Sequence, residues 1–192
     1  RTQPSIFGNQ GKKIWPLFVR VNPGHIYISP TGARFGQRHY PCSIGRNGTT
    51  SRKKEGDGAT PEGVHDIVGL LYRRDRISKP TDWAVPLKLG DLWSDDVKDP
   101  DYNLMIRGPS DYRHERLWRS DPLYDLILLT NWNWPYAVKG RGSAIFIHQW
   151  RKQGHPTEGC VAFHRKHLLE IAKNITFGTK LIISPHRHGR QK

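Results

Sequence analysis

The sequence predicts a mainly β, sandwich-like fold with one principal helix. Three observations carry that reading. Glycine and proline interrupt the 192 residues at 19 and 14 positions, too often for long helices. Short runs rich in Val, Ile, Tyr and Phe recur between those breaks. One segment, His164 to Asn174, has helical spacing: Leu168, Ile171 and Ala172 fall at i, i+3 and i+4, and Leu169 widens the stripe. Asn174 supplies a stop signal.

The strands follow in order. Leu17 to Val21 and His25 to Ser29 flank Asn22-Pro23-Gly24, which reads as a tight hairpin turn. Val64 to Tyr72, Tyr124 to Thr130, Ser143 to His148 and Lys180 to Ser184 are the remaining β-like runs. Asp125-Leu126-Ile127-Leu128-Leu129 is apolar on both faces, as a central strand covered on two sides must be. Thr81 to Arg119 is rich in Asp, Trp, Tyr and Pro, has little periodicity, and reads as a long binding loop or lid.

Length and composition set further bounds. The chain is expected to form one domain, 1–192, with a core over about 17–184, an N-terminal arm and a basic C-terminal tail. It is long enough to bury a core without disulfides. Two cysteines make no disulfide framework, and no Cys-x-x-Cys zinc spacing is present. No apolar run approaches the ~18–20 residues of a membrane span, so no integral membrane segment is expected. The chain begins at Arg1 rather than Met, and a leader segment is expected to have been removed.

The formal charge of +14 favours an anionic polymer as partner, either nucleic acid or a carboxylate-rich cell-wall peptide; a well-solvated surface is the plainer account. The basic clusters Arg52-Lys53-Lys54, Arg73-Arg74-Asp75-Arg76 and 186–192 fall on different segments, without a nucleic-acid-binding signature. Nucleic acid is therefore not expected as a partner.

The chemistry concentrates in Thr157-Glu158-Gly159-Cys160-Val161, where Cys160 lies twelve residues after His148. A thiol on a glycine-bearing loop and a histidine at a strand end are the parts of a cysteine nucleophile and its base. Alternation places His148 on the face shared by Ala144 and Phe146. Gly159 lets the backbone approach a carbonyl, and its amide is the candidate oxyanion donor. The imidazole is expected to lower the thiol pKa, and Glu158 to raise it unless it turns away to meet a cationic group. Arg141, in Gly140-Arg141-Gly142, offers a bidentate fork for a carboxylate. His114 and Arg107 are further candidates for substrate contact, and Trp150 is the best groove aromatic. Most of the other aromatics (Trp93, Tyr102, Trp118, Trp132 and Trp134) are expected in the core. Cys42 is expected as a buried free thiol, since a disulfide to Cys160 would block the nucleophile. The histidines at 148, 155, 164, 167, 186 and 188 carry no His-Glu-x-x-His pattern, and no metal is expected.

These motifs resemble the YkuD-type L,D-transpeptidases of the bacterial cell wall. The family pattern is a His on a strand, then Ser or Thr, His, Gly, Cys, a hydrophobic residue and Arg. Here it reads Ile147-His148, then Thr157-Glu158-Gly159-Cys160-Val161-Ala162. Thr60-Pro61-Glu62-Gly63 resembles the family's Thr-Pro-x-Gly segment. Cys42 to Arg46, Asp99 to Asn103, His114 to Arg119 and Gly140 to Phe146 resemble a Gram-negative subgroup. Three departures stand out: Glu158 replaces a His, Ala162 replaces an Arg, and the His-to-Cys interval is shorter.

The resemblance implies that Cys160 attacks an L-to-D peptide bond of a peptidoglycan stem peptide, forms a thioester, and passes the acyl group to an amine of a second stem. His148 acts on the thiol proton, and the backbone carbonyl of Gln149 orients the imidazole. Thr157 and Glu158, beside the nucleophile, are assigned to substrate contact. It also implies a periplasmic location and no metal or organic cofactor. Hydrolysis by the same apparatus, as an L,D-carboxypeptidase or peptidoglycan amidase, and a non-catalytic cell-wall-binding module are the rival readings. Oligomeric state is not legible.

Overall fold

The computed structural model describes residues 24–185. Its strands are β1 (Ile26–Ser29), β2 (Gly32–Phe35), β3 (Arg38–Tyr40), β4 (Cys42–Ser43), β5 (Thr49–Thr50), β6 (Thr60–Pro61), β7 (Gly63–Tyr72) and β8 (Val85–Pro86). These are followed by β9 (Asp91–Ser94), β10 (Met105–Arg107), β11 (His114–Arg116), β12 (Leu126–Thr130), β13 (Phe146–Gln149), β14 (Val161–Phe163) and β15 (Lys180–Ile183). Between the last two lies α1 (Arg165–Asn174). The mainly β architecture with one helix after Cys160 is thus as predicted. The first predicted strand, the residues 22–23 of its turn, and the tail 186–192 lie outside the described residues.

The main sheet runs β3-β2-β1-β15-β7-β12-β13-β14-β4, and β8 pairs with β7 off that path. Its two edge strands, β3 and β4, are joined through Pro41 alone, so the sheet curls back on itself and is nearly closed. Most neighbours are antiparallel. The β1–β15, β7–β8 and β13–β14 pairs are parallel. That last pair positions the candidate site.

Two cores form on the two faces of β12. Leu126 and Leu128 point into one, with Ile26, Ile67, Leu70, Ile147, Val161 and Phe163. Helix α1 seals this core with Leu168, Ile171 and Ala172, the residues its periodicity predicts. Ile127 points into the other core, with Leu71, Leu87, Trp93, Leu117, Tyr124 and Phe146. Each such side chain, removed from water, contributes roughly 1.5–3 kcal/mol. His164 caps α1, its Nδ1 accepting from Lys166 N–H at 3.2 Å.

The segment Thr81 to Arg119 differs from its expected loop character. It folds into a three-stranded sheet, β10-β9-β11, that covers the second core. Its polar and aromatic residues hid the strands because much of the polarity is buried and paired. Ser94 Oγ donates to Asp99 at 2.5 Å, and Trp93 Nε1 donates to Asn103 Oδ1 at 2.9 Å. Among the described residues, no helix is long and apolar enough to cross a membrane.

Candidate active site

Parallel strands need a connection that returns to the starting end of the first strand. The loop 150–160 does this between β13 and β14. The register pairs Ile147 with Val161 and His148 with Ala162. Cys160, one residue before β14, therefore arrives level with Phe146. The Phe146 N–H donates to Cys160 Sγ at 3.4 Å, and Sγ donates to the Ala144 carbonyl at 3.0 Å. Phe146 and His148 share a face by alternation. Both rings meet Tyr124 edge-on, with centroids at 6.1 and 5.3 Å.

Ala144 is not on the strand with them. It takes a left-handed backbone, φ 49°, and β13 starts only at Phe146. Asn103 holds this strained turn, accepting from Ala144 N–H at 2.9 Å. The turn aims the Ala144 carbonyl at the thiol. This is why alternation failed at its first position.

His148 Nδ1 donates to the Gln149 carbonyl at 2.7 Å, which leaves Nε2 as the proton-accepting nitrogen. Burial pushes the imidazole down to about 4, with Arg119 and Arg151 adding to the effect against the Gln149 bond. Burial likewise pushes the Cys160 thiol up to about 12, and Glu115 adds to that; the Phe146 amide and Lys53 oppose it. At neutral pH the resting pair is therefore neutral thiol and neutral imidazole. The expectation that His148 lowers the thiol pKa is not met, because a neutral imidazole brings no charge. The geometry suits removal of the thiol proton by a base during attack.

The loop carrying Cys160 is pinned from below. Thr60, fully buried, donates from Oγ1 to the Gly159 carbonyl at 2.8 Å and accepts from Gly45 N–H at 2.9 Å. Gly159 has φ 145°, and a Cβ there would lie 2.9 Å from the Ala59 carbonyl oxygen. Glycine is needed for both reasons. Its amide donates to Thr157 Oγ1 at 3.1 Å, so this N–H is occupied rather than aimed at a substrate carbonyl. Thr157 Oγ1 in turn donates to the Cys160 carbonyl at 2.6 Å. The hydroxyl of Thr157 thus shapes the loop, although the residue also lines the cleft.

A cleft of about 410 Å³ opens above the thiol. It holds Cys160, His148, Trp150, Thr157 and Glu158 from among the predicted residues, and Ala162 beneath them. It also holds Glu115, Arg119, Tyr124 and Arg151, which sequence reasoning missed as site residues. Glu158 is 80% exposed at its side chain and pairs with Arg46, so it points away from the thiol. The carboxylate acting on Cys160 is Glu115.

Three predicted contacts lie elsewhere. Arg141 is exposed and stacks its guanidinium on Trp132 at 5.1 Å. Arg107 pairs with Asp91 at 3.0 Å. His114 lines a separate cleft with Arg116 and Trp118. Strand alternation explains the last miss: in β11, His114 and Arg116 face one way and Glu115 faces the thiol cleft. The one signal available was the His114 to Arg119 motif, which located the segment but not its facing residue.

Cys42 and Cys160 are both free, and no disulfide joins them. Trp93 and Tyr102 are buried, as expected, whereas Trp118, Trp132 and Trp134 are only half-buried, Trp118 and Trp134 packing against the edge of the second core. Among the described residues, no three His, Cys, Asp or Glu side chains gather as a metal site.

A family model for the L,D-transpeptidase catalytic domain, YkuD, matches residues 17–183, well over half of the chain. No curated protein matches it.

Proposed function

The chain belongs to the YkuD family of L,D-transpeptidase catalytic domains, and from that premise we propose that Cys160 is the nucleophile and His148 its base in peptidoglycan cross-linking. The observation that carries the reading is the parallel β13–β14 register, which brings Cys160 beside Phe146 on the face that His148 occupies. The family acts on peptidoglycan peptides. The finer assignment is to an L-to-D bond of one stem and an amine of another, in 3-3 or 1-3 linkage.

His148 Nε2 takes the thiol proton as Sγ attacks the carbonyl carbon of the L-residue. The C–S bond forms, and the carbonyl electrons move onto oxygen. With the Gly159 amide engaged by Thr157, the amide of Cys160 is the donor left for that oxygen. On collapse the C–N bond breaks, and His148 returns its proton to the leaving amine. An acceptor amine then repeats the sequence on the thioester, with Sγ as leaving group. The Gln149 carbonyl keeps Nδ1 protonated throughout.

Gln149 is itself braced. Arg165 donates to its side-chain oxygen at 3.1 Å and to buried Asp125 at 2.8 Å. This ties the residue that holds the imidazole to the start of helix α1 and to the residue just before strand β12.

The whole chain is proposed as one catalytic domain working outside the cytoplasm, in the periplasm of a Gram-negative cell. Incubation with purified muropeptides tests the activity. New dimers are expected by mass, and the dimer's mass identifies the bond used. Shortened monomers alone would make the enzyme a hydrolase. Unchanged peptides with retained binding would make it a wall-binding module.

A further inference from the structure

Glu115 is the cleft carboxylate that no cation contacts directly, although Arg119 and Arg151 line the same cleft. The chain carries a net charge of +14, and the acidic groups near the thiol are otherwise paired. Glu158 pairs with Arg46, and Asp121 pairs with Arg119 at 2.5 Å. Glu115 makes no ion pair among the described residues. The one hydrogen bond to its carboxylate there comes from the Tyr124 hydroxyl, at 2.5 Å to Oε2. The other oxygen, Oε1, is left for a ligand.

The placement is rigid. Glu115 sits in β11 and registers with Trp93 of β9, in the sheet that covers the second core. Tyr124 is buried and packs edge-on against His148. Burial raises the Glu115 carboxyl above the usual range, with the Tyr124 bond opposing that. A half-buried carboxylate kept unpaired beside a thiol weakens the thiolate, a cost to the first half of the reaction. Such a cost calls for a cation that arrives with substrate.

We propose that Glu115 receives the ammonium group of the acyl acceptor and holds it beside the thioester on Cys160. The inference rests on the transpeptidase reading above and assigns the acceptor side of the cleft. The acceptor enters as R–NH3+. Its surplus proton passes to the Glu115 carboxylate and then to water, leaving R–NH2. The nitrogen lone pair attacks the thioester carbonyl, the C–N bond forms and the C–S bond breaks. A second N–H proton moves through His148 to the departing sulfur, restoring the thiol. Arg119 forms its ion pair with Asp121; its charge reaches Glu115 and favours the carboxylate, but it makes no ion pair with it.

The test is the partition of the acyl-enzyme between amine and water. Wild-type and Glu115→Gln proteins are acylated with a stem-peptide donor, then given a primary amine stem or hydroxylamine, which is neutral at pH 7. With the ammonium acceptor, the ratio of cross-linked to hydrolysed product should fall about tenfold in the variant, the worth of a charge-assisted contact. With hydroxylamine the two proteins should partition alike. Equal partition with the ammonium acceptor overturns the proposal, and so does an equal loss with both nucleophiles. A second measurement needs no variant. In the wild type, trimethylammonium carries the charge but cannot form a stable amide, so it should raise the apparent KM for the amine without slowing hydrolysis. Absence of competition overturns the proposal. Failure of the wild type to form a thioester at Cys160 overturns the underlying reading and this inference together.

Discussion

Cys42 lies on β4 and Cys160 immediately precedes its neighbour β14, yet the two serve different cores. Cys42 pairs across the sheet with Phe163 and packs against the core sealed by helix α1. Cys160 packs against the core beneath the three-stranded sheet. Burial pushes both thiols up to about 12, so acidity at rest does not separate them. Their surroundings do. Cys160 has an amide donor, a carbonyl acceptor, a histidine in the same cleft and an opening to solvent. Cys42 has aromatic and aliphatic neighbours. Reactivity here is a property of what can take the proton during attack.

The largest test of that contrast exchanges each thiol. Cys160→Ala should abolish cross-linking, on the order of a 10⁴-fold loss, whereas Cys42→Ala should leave turnover within about twofold. Muropeptide turnover by both variants checks this; normal activity in the Cys160 variant breaks the comparison.

Next in size is the base. His148→Gln should slow thioester formation by about 10²–10⁴-fold, read from the rate of covalent adduct formation by mass. The same residue sets a pH expectation. Its folded pKa, about 4, lies below the ordinary 6.5, so the imidazole stays neutral and able to accept a proton until pH approaches 4. The acid limb of kcat should therefore lie well below 6.5. The sign for stability follows from linkage. The unfolded chain binds the proton first, so this contribution is intact above 6.5 and is lost as pH falls from 6.5 towards 4. Denaturant midpoints across that window check it.

A smaller loss is expected below the nucleophile loop. Thr60→Val keeps the volume but leaves the Gly159 carbonyl and Gly45 amide without their shared hydroxyl. Unfolding measurements should show a loss of roughly 1–3 kcal/mol. Turnover should fall further than it does for a Cys42 substitution. The smallest effect should come from Glu158→Gln. Its side chain and that of Arg46 are 80% and 44% exposed, so the ion pair contributes about 0.2–1 kcal/mol at most. A large loss of thioester formation would return Glu158 to the reacting centre.

Elements with strong periodicity were legible. Helix α1 showed its buried stripe, and β12 showed apolar residues on both faces because each face meets a core. The pairing of Cys160 with His148 was suggested by type and spacing. The features that depend on non-local register were not legible. The three-stranded sheet was hidden by buried polar partners such as Asp99 and Asn103, which lower hydrophobicity without lowering order. Glu115 was hidden for a related reason. Its segment was noticed, but only strand phase decides whether residue 114 or 115 faces the thiol. Arg141 looked like a carboxylate clamp from its bidentate fork just before the strand that carries His148, and the fold instead stacks it on Trp132.

The central claim is tested most directly by trapping the acyl-enzyme. The protein is given a stem-peptide donor without acceptor, digested under conditions that preserve thioesters, and mapped by mass. The account predicts one acyl adduct, on the peptide containing Cys160, discharged on addition of an amine stem with formation of the dimer. An adduct on Cys42, or dimer formation by the Cys160→Ala protein, would contradict it.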